Sequence, residues 1–360
     1  MTPLAQLLIE IMDIESVSGN EKELADWVEQ RLSAFSHLTL HRDGDAIVAR
    51  TDLGRAERVV IAGHLDTVPV AENLPAKLLH DDDDPDGDLV WGRGAVDMKG
   101  GVAVMLTLAE ELSEPTRDIT WIFYDNEEVE STKNGLGRLA NNVPELIQGD
   151  FAILMEPTSA LIEGGCQGTI RVDIETKGTA AHSARAWMGH NAIHDLAPIL
   201  KVLAEYQPQD IEVDGLLYRE GLNATGITGG MASNVIPPSA SVHVNYRYAP
   251  DKSSVEALTK LQEWFDDYQL QVADVSPAAR PGLDLPLAKE FVDAIGEAPR
   301  PKYGWTDVAR FSELGIPAVN YGPGNPSLAH RDDEACRVSE LDACAAGLRR
   351  WLNPERGDQA

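Results

Sequence analysis

Hydrophobic positions recur along this chain with two different periods. Leu4, Leu7, Leu8, Ile11 and Met12 repeat at helical spacing, and Ser18-Gly19-Asn20-Glu21 fits a capping box ahead of a second amphipathic helix over 22–32. Apolar, β-branched and aromatic runs at 59–62, 119–124 and 151–155 then predict core strands, separated by helices over 102–112 and 136–140. Such alternation predicts an α/β layer. The pattern changes near Gly164-Gly165-Cys166: strands are expected at 170–176, 222–228, 240–248 and 270–275, with helices over 191–206 and 255–268. That order, βαββαβ, predicts a ferredoxin-like insertion. Residues 276–282 form the return linker, and 286–295, 318–320 and 341–351 complete the first domain, giving expected domains at 1–164, 165–277 and 278–360.

Composition narrows the classes of function. With 360 residues and 43% hydrophobic content the chain can bury a sizeable core. A formal net charge of -29 repels phosphate backbones and anionic lipid, so no nucleic acid and no membrane partner is expected. Part of that charge is the run Asp81-Asp82-Asp83-Asp84, read as a solvated loop rather than a calcium site. The opening residues carry no basic region or cleavage motif, and no stretch approaches a membrane span, so a cytoplasmic setting is expected. Cys166, Cys336 and Cys344 form no Cys-x-x-Cys unit and point to neither a disulfide framework nor a thiolate metal site.

Candidate chemistry collects just beyond the predicted strands, the edge at which open α/β sheets gather ligand sites. The run 59–62 leads straight into Gly63-His64-Leu65-Asp66, where Asp66 is close enough to accept the second ring N–H of His64 and fix its tautomer. Asp97 lies between glycines in Gly92-Arg93-Gly94-Ala95-Val96-Asp97-Met98-Lys99-Gly100-Gly101, on a turn from which a carboxylate can bridge two metals. The strand ending at Tyr124 runs into Glu127-Glu128, neighbours that point apart, so that one can bind metal while the other handles protons. Glu156 follows the next strand, and His330 stands near the C-terminus. Taken singly, such a His also fits a satisfied polar group at a sheet edge, and a Glu-Glu pair a solvated helix start. Together, two imidazoles and three carboxylates form a mixed N/O set suited to two Zn2+ ions, with Co2+ or Mn2+ as substitutes.

These motifs, with Glu156-Pro157-Thr158 and Ala181-His182-Ser183-Ala184, resemble in order and separation the co-catalytic zinc amidohydrolases. That family includes succinyl-diaminopimelate desuccinylase, acetylornithine deacetylase, aminoacylase and the glutamate-releasing carboxypeptidase. The resemblance covers nearly the whole chain. It implies an α/β catalytic domain of zinc-peptidase type, with the ferredoxin-like insertion as lid and dimerisation domain. His64 and Glu156 would bind one zinc, Glu128 and His330 the other, with Asp97 bridging them and a cis peptide between Asp97 and Met98. Glu127 would be the general base, taking a proton from the attacking water and returning it to the departing amine. His182 would steady the oxyanion, reaching the site of the other subunit of a homodimer. Its alternative reading is a structural His before a helix.

The substrate is read from further segments. Asn234 and Arg247 resemble family positions that grip substrate; Arg247 suits a carboxylate, or alternatively a structural ion pair on its sheet. Thr306, Gly322 and Gly324 resemble substrate-lining turns that offer hydroxyl and backbone donors. The runs at 123–130, 182–185 and 306–311 are most similar to succinyl-diaminopimelate desuccinylases, which implies a small N-acyl amino acid substrate. Acetylornithine deacetylase and a dimetal carboxypeptidase are the alternatives, and Glu128-Val129-Glu130-Ser131 departs from the family's Glu-Glu-Gly run. A non-catalytic metal or amino-acid binding protein is the alternative of another class. It has no need of a spare base beside Glu128.

Overall fold

The computed structural model describes residues 1–80 and 87–353, so the run Asp81-Asp82-Asp83-Asp84 lies outside the described residues. The chain forms two compact units, Met1–Gly164 with Pro281–Arg300 and Thr306–Ala360, and Gly165–Arg280 with Pro301–Trp305.

The first unit is built on a mixed sheet, eight-stranded among the described residues, in the order Thr39–Asp43, Ala46–Arg50, Asp118–Tyr124, Arg58–His64, Phe151–Leu154, Ala318–Asn320, Glu163–Gly164 and Arg300–Pro301. Its four middle strands, from Asp118–Tyr124 to Ala318–Asn320, run parallel. They read as continuous apolar runs because both faces are covered. Ile119, Trp121 and Phe123 join the core formed with the helices Pro3–Met12, Lys22–Leu32, Lys99–Glu111 and Val338–Leu352, while Thr120, Ile122 and Tyr124 are buried on the opposite face. Helix Lys99–Glu111 comes so close to the chain beyond Leu154 that a Cβ on Gly101 would lie 2.4 Å from the Met155 carbonyl oxygen. A smaller antiparallel sheet pairs Ala335–Arg337 with Asp88–Trp91, and the latter with Lys77–His80. Among the described residues no helix is long and apolar enough to cross a membrane.

The second unit carries an antiparallel sheet in the order Gly221–Gly229, Ser239–Tyr248, Gly168–Lys177 and Leu270–Ser276, with helices Ala197–Glu205 and Ser254–Trp264. This is the expected βαββαβ insertion. Strict alternation along Ser239–Tyr248 buries Ala240, Val242, Val244, Tyr246 and Tyr248 and leaves Ser241, His243, Asn245 and Arg247 half-buried on the other face. Two details differ from expectation. The helix expected from 191 starts as a short 3-10 turn, His194–Leu196, and becomes α-helical only at Ala197, where Pro198 suits a first turn. A hairpin, Asp210–Val213 with Leu216–Arg219, precedes the second strand. Its signal was Asp214-Gly215, both at positive φ, a favoured two-residue turn.

Glu220 is buried in this unit and accepts from the Tyr246 hydroxyl at 3.1 Å, the Ala249 N–H at 3.0 Å and the Lys252 ammonium. Burial alone would raise its carboxyl, but Lys252, the Ala249 N–H and Lys260 outweigh it and hold the group below the ordinary glutamate range. A depressed carboxylate contributes stability that is complete above its unfolded pKa and lost as pH falls through the lower folded value. Glu220→Gln is therefore expected to destabilise the protein at neutral pH and to weaken the slope of stability against pH below about 4.5. Chemical denaturation across pH reads both, and an unaltered slope would remove Glu220 from the acid response. Gly101→Ala is expected to cost about 1–3 kcal/mol by overpacking, seen as a lower denaturant midpoint at unchanged m-value. A wild-type midpoint would show that the helix can shift to admit the methyl.

Candidate metal centre

Parallel register delivers the candidate ligands to one sheet edge. His64 ends its strand opposite Tyr124, while Leu154 lies opposite Ala62 on one side and Asn320 on the other. Glu127, Glu128 and Glu156 follow these strands directly, so they leave the sheet at the edge that His64 occupies. Asp97 lies just ahead of helix Lys99–Glu111, and the Asp97–Met98 peptide is cis, as the resemblance implied. His330 sits in the loop that precedes Ala335–Arg337, at φ 65.

The side chains converge. Asp97 Oδ1 lies 3.1 Å from His64 Nε2, and Oδ2 lies 3.2 Å from His330 Nε2. His330 Nε2 is also 2.8 Å from Glu128 Oε1. One ligand atom from each of His64, Asp97 and Glu128 falls within 4.8 Å of the others. The two oxygens of Asp97 thus face different histidines, the disposition a bridging carboxylate needs. Glu156 is buried close enough to act electrostatically on Glu127.

The electrostatics ask for positive charge at this point. Burial would lower His64, yet the Asp66 and Asp97 carboxylates outweigh it and hold the imidazole well above its ordinary value. Hydrogen bonds to Asp97 and Glu128 push His330 up to about 10. Asp97, despite burial, is held below the carboxylate range by His330 and His64. A divalent cation would meet the same demand at the same atoms, and the mixed N/O donors suit zinc, cobalt or manganese. Burial, with the charges of Asp307, Glu156 and Glu128 and against that of His64, raises Glu127 well above the ordinary glutamate value.

The surroundings of the centre correct several expectations. His64 Nδ1 is 2.9 Å from the main-chain oxygen of Asp66 and 3.5 Å from its carboxylate, so the backbone is the nearer acceptor for the orienting proton. The fully buried Asp66 carboxylate also acts on the acid pair, accepting the N–H of Glu127 at Oδ1 and that of Glu128 at Oδ2, each at 3.0 Å. Oδ2 also takes the Ser18 hydroxyl at 2.7 Å. Glu21 accepts the N–H of Asn126, a non-glycine residue at φ 59, at 3.1 Å. The anticipated capping box is therefore absent: helix Lys22–Leu32 starts without a side-chain cap bond, and Ser18 and Glu21 hold the turn that carries Glu127 and Glu128. Sequence reasoning missed this role because an acid before an apolar helix looks like a helix start.

Thr306, Gly322 and Gly324 do not present the donors expected of them. The Thr306 hydroxyl donates to Asn320 Oδ1 at 2.8 Å. Gly322 N–H donates to Thr158 Oγ1 at 3.1 Å, and Gly324 N–H to Glu340 Oε2 at 2.8 Å. Their part is support: a Cβ on Gly322 would lie 2.3 Å from the Met155 oxygen and 2.6 Å from that of Glu156, so only glycine lets this strand end press on the Glu156 backbone.

In the second unit His182 is exposed, and its Nδ1 accepts the Ala184 N–H at 3.1 Å, which leaves Nε2 to carry the proton of the neutral ring. The exposed Asn234 uses its main-chain oxygen to accept from Ser183 N–H at 2.8 Å. Arg247 stands on the half-buried face of the sheet, beside an open cavity of about 620 Å³ lined by Thr169, Arg171, Asn245, Asp274 and Trp305 among others. Its Nη1 is buried with no hydrogen-bond partner among the described residues, whereas Arg171 pairs with Asp274 at 3.2 Å.

Residues 60–353 match the family model described as peptidase family M20/M25/M40. A Mycobacterium tuberculosis protein provisionally named succinyl-diaminopimelate desuccinylase is 50% identical over 350 residues, 96% of this chain and 97% of the relative. The succinyl-diaminopimelate desuccinylase of Corynebacterium glutamicum is 42% identical over 95% of this chain and 94% of its own. Among solved structures, a Staphylococcus aureus tripeptidase superposes with a TM-score of 0.78 at 19% identity, covering 99% of this chain and 98% of that one. A Bacillus subtilis dinuclear metal binding peptidase of family M20 gives 0.66 at 16% identity, over 97% and 96%.

Asp66→Ala leaves the half-buried N–H groups of Glu127 and Glu128 without their carboxylate acceptor, at about 1.5–3 kcal/mol for each lost bond to a charged group. Thermal unfolding of the chelator-treated variant is expected to show this loss with no metal involved. An unchanged midpoint would mean that the acid pair is held by something else.

Proposed function

The chain belongs to peptidase family M20/M25/M40, and from that premise we propose that it removes the succinyl group from N-succinyl-LL-2,6-diaminopimelate, releasing succinate and LL-2,6-diaminopimelate. The observation that carries the chemistry is the convergence of His64, Asp97 and Glu128 beside the half-buried base candidate Glu127. The choice of substrate is supported by nearly full-length likeness to two proteins that bear the desuccinylase name.

In this reading His64 and Glu156 would hold one Zn2+, Glu128 and His330 the second, and Asp97 would serve both. The two cations, when bound, polarise the amide carbonyl and acidify a water molecule. Glu127 takes a proton from that water as the oxygen bonds to the carbonyl carbon. As the C–N bond breaks, Glu127 passes the proton to the departing nitrogen, leaving a carboxylate and an amine. Asp66 keeps the Glu127-Glu128 turn in place through two N–H bonds. His182 donates from Nε2 to the carbonyl oxygen as negative charge develops there. Arg247, with its unpartnered Nη1, grips a substrate carboxylate, and Asn234 contributes a polar contact.

The second unit, expected over 165–277 and found to take in 278–280 and Pro301–Trp305 as well, acts as lid and dimerisation domain, with 1–164 and the rest of 278–360 as the catalytic domain. A homodimer is supported by the exposed edge strand Gly221–Gly229 and by Trp187, 81% exposed, and Met231, 70% exposed, on the neighbouring segments joined by the His182–Val235 bridge. A cytoplasmic setting is supported by three buried free cysteines.

Amine release from N-succinyl-diaminopimelate and from N-acetylornithine, with and without chelator, tests the reading. Chelator-sensitive cleavage of the succinyl compound is expected; cleavage of acetylornithine alone would keep the chemistry and change the substrate. Glu127→Gln should retain its zinc and lose about 10²–10⁴-fold in turnover, and wild-type turnover would remove Glu127 from the role of base.

A further inference from the structure

Outside the ligand set, the buried carboxylate of Glu334 makes the most specific contacts with the loops of the centre. It stands four residues after His330, only 1% exposed, in a stretch where residues 330–333 are all exposed. Its Oε1 accepts the N–H of Val96 at 2.9 Å and that of Asp97 at 3.1 Å. Its Oε2 accepts from Arg93 Nη1 at 3.0 Å, and its main-chain oxygen from Gly92 N–H at 2.9 Å. Arg93, equally buried, donates from Nη1 to the Arg331 carbonyl at 3.2 Å and from Nε to the Pro69 carbonyl at 3.1 Å. One ion pair thus joins the turn that carries Asp97 to the loop that carries His330.

The two histidines that flank Asp97 are braced differently. His64 lies on a core strand, and its N–H contacts the sulfur of Met98, the residue after Asp97, at 3.3 Å. That side of Asp97 is fixed without Glu334. His330 has weaker support: its side chain is 51% exposed, and besides short-range bonds such as Arg331 N–H to the Leu328 carbonyl its loop is held by Asn73 Nδ2 on the Asp332 carbonyl at 3.4 Å. The loop is tied to the turn that carries Asp97 itself through Glu334 and Arg93.

We propose that Glu334, with Arg93, is a positioning residue for the cation held by His330, fixing the Asp97 peptide against the His330 loop so that this cation, and not the one beside His64, depends on it. The inference rests on the two-metal reading above. Neither residue touches a cation; each acts through the geometry of Asp97 and His330. Groups that orient metal ligands in this way typically account for 10–100-fold in affinity.

Stepwise zinc affinities of the chelator-stripped full-length protein, measured by competition with a chromophoric chelator, test this for wild type, Glu334→Gln, Arg93→Met, His330→Ala and the double variant E334Q/H330A. Thermal unfolding of the stripped proteins reports whether each is folded. Wild type should bind two equivalents; fewer would overturn the two-metal reading itself. Given two, E334Q and R93M should each weaken one step by about 10–100-fold and leave the other within about threefold. The weakened step should be the one that H330A removes, so that E334Q/H330A binds its remaining zinc as H330A does. Two wild-type steps in a folded E334Q and R93M, or equal weakening of both steps, would overturn the proposal. If E334Q unfolds when stripped, R93M decides alone by the same criteria.

Discussion

Asp66, Asp97, Glu127, Glu128 and Glu156 crowd one sheet edge, largely out of water, and this accumulation of negative charge is the constraint that the rest of the centre answers. Carboxylates withdrawn from solvent are costly unless hydrogen bonds and opposite charges replace the water. The answers here are local and various. Asp66 is met by two backbone N–H groups and a serine hydroxyl, Asp97 by two imidazoles, and Glu334 behind them by two N–H groups and Arg93. Glu127 has the balance least in its favour as an anion, and its raised proton affinity follows.

The parallel sheet makes this crowding possible. Its strands end together at one edge, so residues far apart in sequence leave the core side by side, and close backbone packing at Gly101 and Gly322 fixes the exit of Glu156. The inserted sheet works on another principle. Its antiparallel strands bury one face and leave the other half-open, and it is on that open face that Arg247 keeps a nitrogen without a partner. A cluster of candidate metal ligands at one strand edge and a half-buried polar face thus arise from two common ways of covering a sheet.

Much of this was legible in the chain. The core strands, most helices and the βαββαβ insertion follow from periodicity, because burial on one or two faces imposes a repeat that a sequence cannot conceal. Four of the five ligand candidates were legible for a related reason: His64, Glu128 and Glu156 follow apolar runs and Asp97 lies between glycines, and composition changes abruptly there, whereas His330 carried no such mark. The hairpin at 210–219 was equally available from Asp214-Gly215.

What the sequence could not disclose was the destination of a polar side chain. Ser18 and Glu21 look like a helix start and turn out to hold Asp66 and Asn126, 48 and 105 residues away. Thr306, Gly322 and Gly324 look like donors for a ligand and are engaged within the fold. Glu334 looks like one more acid in a charged loop and reaches back 238 residues to Val96. The sequence by itself determined which segments are buried, how they repeat and where metal-binding side chains leave the core, since hydrophobic burial depends on residue type and spacing. Only the tertiary structure decided which side chains meet and which carboxylates are engaged in holding backbone N–H groups, because a hydrogen bond is short and directional and its partner is chosen by the path of the whole chain.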